Sequence, residues 1–431
     1  MARKTISISQ QHGAPDAGAS LRWLLAAPHR LFFFLGMLGI SAASLWWLVQ
    51  IGARTLGAPM ALELPPAWMH GWLMLNAFLP FFMFGFLFTA GPKWLNVIAP
   101  SADRLAAAGV LALIGVALAL IGAHIALALV CAGALLVGAA WSLLLWRFAR
   151  LVRASRMSDQ VHARLVLMFF ALGTLAHGLF AVGAATLSLP WVHSAEMLTA
   201  WFFLAPVFVT VAHRLIPFFT ASVIPFLDAW RPLWLLWMLL AIVLGHGALP
   251  VVAIASSAPI VNVFRLALDA GAAALLFFVA WRWGVVQSLR NRLLAMLHLG
   301  FLWLGIALAL YAWNAAPALS SAAPTSVGAP SLGLAPLHAL TMGFFGTVML
   351  AMVTRVSAGH GGARLVADDI TWFLFWTLQT AVLARLLVDA LPEHGTWLTA
   401  LAIGLWCSAM LPWAARNLRL YLRPRIDGRP G

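Results

Sequence analysis

Charge is what this chain has least of. Asp, Glu, Lys and Arg together make up 9% of its 431 residues, and only 12 residues are acidic. A soluble globular protein carries about 25% charge, so a soluble enzyme and a disordered polar chain are both excluded. Cysteine is nearly absent as well. Cys131 and Cys407 stand alone in apolar runs with no CxxC spacing, which reads as packing and excludes a disulfide framework. Nothing alternates between polar and apolar over ten residues, so a membrane β-barrel is excluded too.

What is present in excess is apolar sequence, 63% of the chain with a mean hydropathy of +0.96. About 20 apolar residues cross a bilayer core as a helix. Twelve such runs occur: 31–51, 70–90, 105–122, 126–146, 165–187, 196–218, 232–254, 263–283, 294–313, 336–355, 370–390 and 397–415. The predicted fold is therefore an all-α, polytopic bundle of about twelve membrane helices, embedded in a lipid bilayer. Residues 1–20 read as a flexible polar tail, 21–420 as one membrane domain and 421–431 as a basic tail. The first apolar run is followed by eleven more, which argues against a cleaved signal. The loop 314–335, uncharged and rich in Ala, Ser and Pro, reads as a flexible cover.

The net charge of +14 would ordinarily suggest nucleic acid. Its distribution suggests orientation instead. Arginines crowd the loops after even-numbered runs and both termini: Arg147, Arg150, Arg153, Arg156 and Arg164 follow the fourth run, and Arg416, Arg419, Arg423, Arg425 and Arg429 close the chain. Among the 26 basic residues only Arg54, Arg265 and Arg385 fall on the other side. By the positive-inside rule both termini are cytoplasmic, and no case for nucleic acid remains.

Ionisable groups inside a bilayer are costly and default to functional candidates. Asp269 and Asp389 follow Arg265 and Arg385 by four residues, the spacing of local ion pairs on one helix face. Glu196 reads as a solvated residue at the outer rim. Histidine is the ionisable residue the apolar runs retain. His70 and His338 open the second and tenth runs at the outer level, His177 lies mid-run, and His298 and His360 lie toward the cytoplasm. Any one of these is ordinarily a hydrogen-bonded packing residue. Several at similar depth point to a metal or a haem, for which neutral imidazole is a common ligand. His70 is followed at i+4 by Met74 and His338 by Met342, which stacks imidazole and thioether on one face. That donor pair suits copper, Cu(I) above all. Small residues run beside His177 (Gly173, Ala181, Ala184) and His338 (Ala339, Gly343, Gly346); such strips admit either a close helix neighbour or a flat macrocycle. Pro80 and Pro217 cannot donate to the carbonyls of Asn76 and His213, and a kink lined by Asn76 could frame a pocket.

The tenth run and its exit read His338-Ala339-Leu340-Thr341-Met342-Gly343, Gly346-Thr347, Thr354-Arg355-Val356-Ser357 and Gly359-His360-Gly361-Gly362. This resembles the signature of the NnrS family. Arg214-Leu215-Ile216-Pro217-Phe218-Phe219-Thr220, Leu297-His298-Leu299-Gly300 and His29-Arg30 match in order along nearly the whole chain. The resemblance implies a protein of the bacterial inner membrane that contains haem and copper and belongs to the response to nitric oxide and nitrosative stress. It implies His70, His177, His298 and His338 as haem-binding candidates and His70, Met74, His338 and Met342 as copper candidates. Arg214, Arg355 and His360 would stand at the inner mouth, facing haem propionates or lipid headgroups. One stretch departs from the family. Where it often has H-x-H-E-M, this chain has His70-Gly71-Trp72-Leu73-Met74, so a second His and a Glu are missing.

Two other readings compete. A haem–copper oxidase or nitric oxide reductase core also has twelve spans but needs an adjacent His-His pair and a His-Pro-Glu helix, and neither is present. A transporter of a small solute, with histidines only structural, fits the small-residue faces. A proton-coupled carrier is disfavoured because no chain of buried carboxylates and no G-x-x-x-D-R-x-G-R-R loop occurs.

Overall fold

The computed structural model describes residues 19–255, 259–316 and 332–427. Residues 1–18 of the first tail, 317–331 of the 314–335 cover and 428–431 of the second tail fall outside them. The described residues are helical, and twelve helices are long and apolar enough to cross a membrane. They are α1 (Pro28–Thr55), α2 (Pro66–Leu95), α3 (Ala102–Ile125), α4 (Leu127–Ala154), α5 (Val161–Ala185), α6 (Leu189–Val223), α7 (Leu233–Ala255), α8 (Pro259–Arg282), α9 (Arg292–Ala315), α10 (Ala335–His360), α11 (Asp369–Ala390) and α12 (Gly395–Tyr421). Each of the twelve apolar runs falls on one of these helices, with ends that differ by a few residues. One such difference moves Glu196 inward: α6 begins at Leu189, so Glu196 lies two turns inside it and is half-buried rather than solvated at the rim.

Sequential helices pack as antiparallel neighbours, α3 on α4 and α11 on α12 most extensively, and α1 packs along α12. Hydrocarbon offers no hydrophobic drive between helices, so contact depends on small residues that let backbones approach. Gly115, Gly122 and Gly133 do this for α3 and α4, where an added Cβ would press on the facing backbone. The first and last helices are also tied by a buried guanidinium. Arg30 donates to Leu420 O (3.4 Å), Tyr421 O (2.9 Å) and Arg423 O at the end of α12, and to Trp23 O (2.8 Å). A cation is thus spent on the carbonyls that a helix C-terminus leaves without partners. The two cysteines are free, and their thiols donate to the carbonyls of Ala181 and Ser44.

Two helices that meet in the bundle are irregular. α2 is broken into Pro66–Asn76 and Leu79–Leu95, with Ala77 and Phe78 between. Pro80, in the first turn of the second piece, has no N–H to continue the ladder. That leaves the Asn76 carbonyl without its helical donor, and the next carbonyl, of Ala77, lies against Gly39 of α1, where a Cβ would collide with it. α10 opens with one α-turn (Ala335–His338), widens to a π-helix over Ala339–Gly346 and resumes as an α-helix from Thr347. Irregular backbone at membrane depth is tolerated where protein buries it or where it lines a cavity, and π-helical turns concentrate at functional sites. A second, five-residue π-stretch lies in α6 at Ala200–Leu204.

Candidate functional site

The first piece of α2 and the π-stretch of α10 line a cavity of about 270 Å³, and α1, α11 and α12 supply the rest of its wall. His70, Met74, His338 and Met342 all line it. The i, i+4 pairs of two separate helices therefore open into one space. It lies at the arginine-poor end, and two of the three basic residues of that end, Arg54 and Arg385, are in its wall with Thr341, Trp47 and Trp406. Among the described residues no Asp or Glu lines it. Sequence reading placed Arg54 and Arg385 only by side of the membrane; charge counting carries no depth and could not assign them to the cavity.

The imidazoles are held in ways that fix their chemistry. His338 Nδ1 lies 3.0 Å from Leu334 O. A carbonyl only accepts, so Nδ1 carries the proton and donates, which leaves the Nε2 lone pair as the acceptor. Metal-binding histidines show this pattern, their second nitrogen donating to a carbonyl or carboxylate. His70 lies flat on Trp47, with ring centroids 3.9 Å apart and planes at 19°. Its Nδ1 is buried with no hydrogen-bond partner among the described residues, and buried polar atoms left this way call for an explanation. Arg385 donates to Asp389 (3.0 Å), as its i+4 spacing predicts.

The other histidines do not reach this cavity. His177 is buried between Trp72 and Trp141, whose rings stand nearly perpendicular to it at 5.9 and 4.5 Å. Neither of its nitrogens has a hydrogen-bond partner among the described residues. His298 is buried on α9 with Nε2 2.9 Å from Thr220 Oγ1. In the small-residue strips Phe203 packs on Gly173 and Trp303 on Gly343, while Gly346 lines the His/Met cavity. The inner-mouth residues lie elsewhere again: Arg355 stacks on Phe219 (4.0 Å), Arg214 on Trp94 (5.0 Å), and the His360 ring faces buried His29 at 4.6 Å. None of them lines the His/Met cavity.

Two buried pairs escaped the sequence reading. Asp269 does not pair with Arg265. His246 of α7 reaches across to it with Nδ1 2.7 Å from Oδ1, both side chains being buried. Helix spacing shows only local partners, and here a neighbouring helix supplies the closer one; no Arg265–Asp269 ion pair forms among the described residues. His162 lies in the first turn of α5, in a stretch the sequence reads as loop. Its Nε2 is 3.1 Å from His213 Nδ1, and His213 Nε2 is 3.1 Å from Pro232 O. The carbonyl forces a donating Nε2–H on His213, so a neutral His213 accepts from His162. His162 Nδ1 is then a buried lone pair without a partner among the described residues.

Between His70 and Met74, Trp72 stacks on Phe180 (5.3 Å, 19°) and Leu73 is fully buried. A carboxylate does approach from outside α2. Glu196 of α6 lies against Gly71, in space a Cβ would occupy. Among the described residues no group of three or more His, Cys, Asp or Glu converges as a metal site. The thioethers of Met74 and Met342 are what extend the donor set at the cavity beyond two imidazoles.

These features define a polytopic α-helical membrane protein with an intramembrane histidine–methionine cavity framed by two irregular helices. The family model described as NnrS protein matches residues 23–425, and the chain belongs to that family. Comparison with curated proteins returns no match.

Proposed function

We propose that this protein binds haem in the His/Met cavity, with copper as a second metal for the same donor set, and that it acts in the response to nitric oxide. The observation that carries the reading is the convergence of His70, Met74, His338 and Met342 on one space. Two imidazoles suit haem iron, and nitrogen with thioether suits Cu(I). A haem iron held by only one of these imidazoles would keep a position at which nitric oxide could bind directly. His338, its tautomer set by Leu334 O, presents Nε2 as the better prepared ligand, and His70 is the second. Arg54 and Arg385 are placed to pair with the carboxylates of a haem. The volume, just below the ~300–1000 Å³ of typical cofactor sites, admits a metal ion as it stands and a macrocycle with some movement of Trp47 or Trp406.

His177, His298, Arg214, Arg355 and His360 then act outside the cofactor's immediate surroundings. By family and arginine distribution the setting is the bacterial inner membrane with both termini cytoplasmic.

The test is spectroscopic. Protein purified after haem-supplemented expression should show a Soret band that shifts on adding nitric oxide, and elemental analysis of the same sample reads copper. A colourless, metal-free preparation would overturn the reading and leave a solute carrier with structural histidines.

A further inference from the structure

A second cavity, of about 80 Å³, lies between α1, α2, α5, α6, α9 and α10. We infer that it is a holding site for a small, uncharged, poorly hydrogen-bonding molecule of diatomic size, delivered past Leu79 to the His/Met cavity. The destination rests on the function proposed above; the holding site itself does not.

The lining argues for the occupant. Every side chain in the wall is aliphatic, aromatic or thioether, including Phe33, Phe170, Phe208, Met83, Met349 and Met352. Helical backbone has its own partners, so water entering here would give up hydrogen bonds and gain none. Apolar cavities of this kind stay dry and take up apolar gases. A charged solute is excluded by the cost of desolvation without a partner. At ~30 Å³ per water-sized body, the space holds about two or three of them, enough for a diatomic molecule and far too little for a macrocycle. No nitrogen lines it, so it offers haem iron no imidazole. Polarisable thioethers and rings favour contact by dispersion, which is the attraction such a guest can use.

Its position argues for the route. The second piece of α2 and the α-helical part of α10 form its wall, while the first piece of α2 and the π-stretch of α10 belong to the His/Met cavity. Leu79 lines both spaces. It is the first residue of α2 after the break, so the same interruption that opens the metal-binding space sets one leucine between it and an apolar reservoir. A molecule that partitions from lipid into the bundle would be concentrated one side chain away from the histidines.

Xenon is the probe, because it reads the cavity without any cofactor. Crystals of the whole protein under xenon pressure should show an anomalous peak among Phe208, Met349 and Met352, and Val353→Phe should displace it. Flash photolysis of the nitric oxide adduct then reads the route. Leu79→Trp should slow the rebinding of nitric oxide several-fold with the Soret maximum unchanged, and Leu79→Ala should speed it. No xenon peak in the wild-type protein, or a lipid or detergent chain seated there instead, overturns the holding site. A xenon peak with rebinding unaffected by both Leu79 substitutions overturns the route. A xenon peak in a protein with no Soret band keeps the holding site and removes the proposed function.

Discussion

At the scale of single residues, the histidines divide by what their nitrogens meet. His338 has one nitrogen committed to Leu334 O, and His70 has a buried nitrogen with no partner; both face the cavity that Met74 and Met342 share. His70→Ala and His338→Ala should each abolish or shift the Soret band, read directly by absorbance. His298→Ala should leave it in place, because that ring is bonded to Thr220 on another side of the bundle. His177→Phe makes a sharper test. It removes two nitrogens without conventional partners and keeps a ring between Trp72 and Trp141, and replacing an unsatisfied polar group by an apolar one of similar shape is near neutral or stabilising. The expected result is an unchanged spectrum and a thermal midpoint no lower than wild type. A lost Soret band in this variant would move the cofactor toward His177. The resemblance named four histidines alike; spacing could group His70 with Met74, yet only packing separates His70 and His338 from His177 and His298.

At the scale of elements, the break in α2 and the π-stretch of α10 make the site, and they were unequally legible. Pro80 announces a lost hydrogen bond to Asn76, so the interruption near residue 77 could be read in advance. Asn76 itself turns inward, its Nδ2 donating to Trp72 O at 3.0 Å. The π-stretch has no compositional mark, because Ala339–Gly346 suits an α-helix equally by residue type. Cross-helix partners were illegible for a related reason. The i, i+4 rule found Arg385–Asp389 and missed His246–Asp269, whose partner depends on how α7 lies on α8. The break rests on Gly39, whose missing Cβ leaves room for the Ala77 carbonyl. Gly39→Ala forces that backbone to shift and should cost about 1–3 kcal/mol, the usual penalty of overpacking. The expected outcome is a lower thermal midpoint together with a perturbed Soret band, since Phe78 and Leu79 line the cavity directly after the carbonyl. A destabilised variant with a normal spectrum would separate the break from the site.

At the scale of the whole molecule, the sparse charge that opens the sequence does two jobs. Its sign asymmetry predicts orientation: a fluorescent reporter fused to the C-terminus should be bright and a periplasm-dependent phosphatase fused there inactive, with the reverse after Thr55. The few acids at the arginine-rich end hold helix termini. Asp368 caps α11 by accepting from Thr371 N at 2.9 Å, and Arg416 of α12 donates to its two oxygens at 3.3 and 2.6 Å. The Arg416 guanidinium, aided by Thr371, holds the Asp368 carboxyl below its ordinary value. A carboxylate with a depressed folded value adds stability that is complete above the unfolded value, ~4. That stability is lost as the pH falls from there through the lower folded value, because the unfolded chain takes up the proton first. Asp368→Asn keeps a good cap and removes the charge. The thermal midpoint of this variant should lie below wild type at pH 7, and the gap should narrow as the medium is acidified below about 4. Both residues are partly exposed, so salt should narrow the gap at neutral pH as well. A gap that persists unchanged at low pH and high salt would mean that the contact between α11 and α12 depends on packing of their apolar faces and owes nothing to this ion pair.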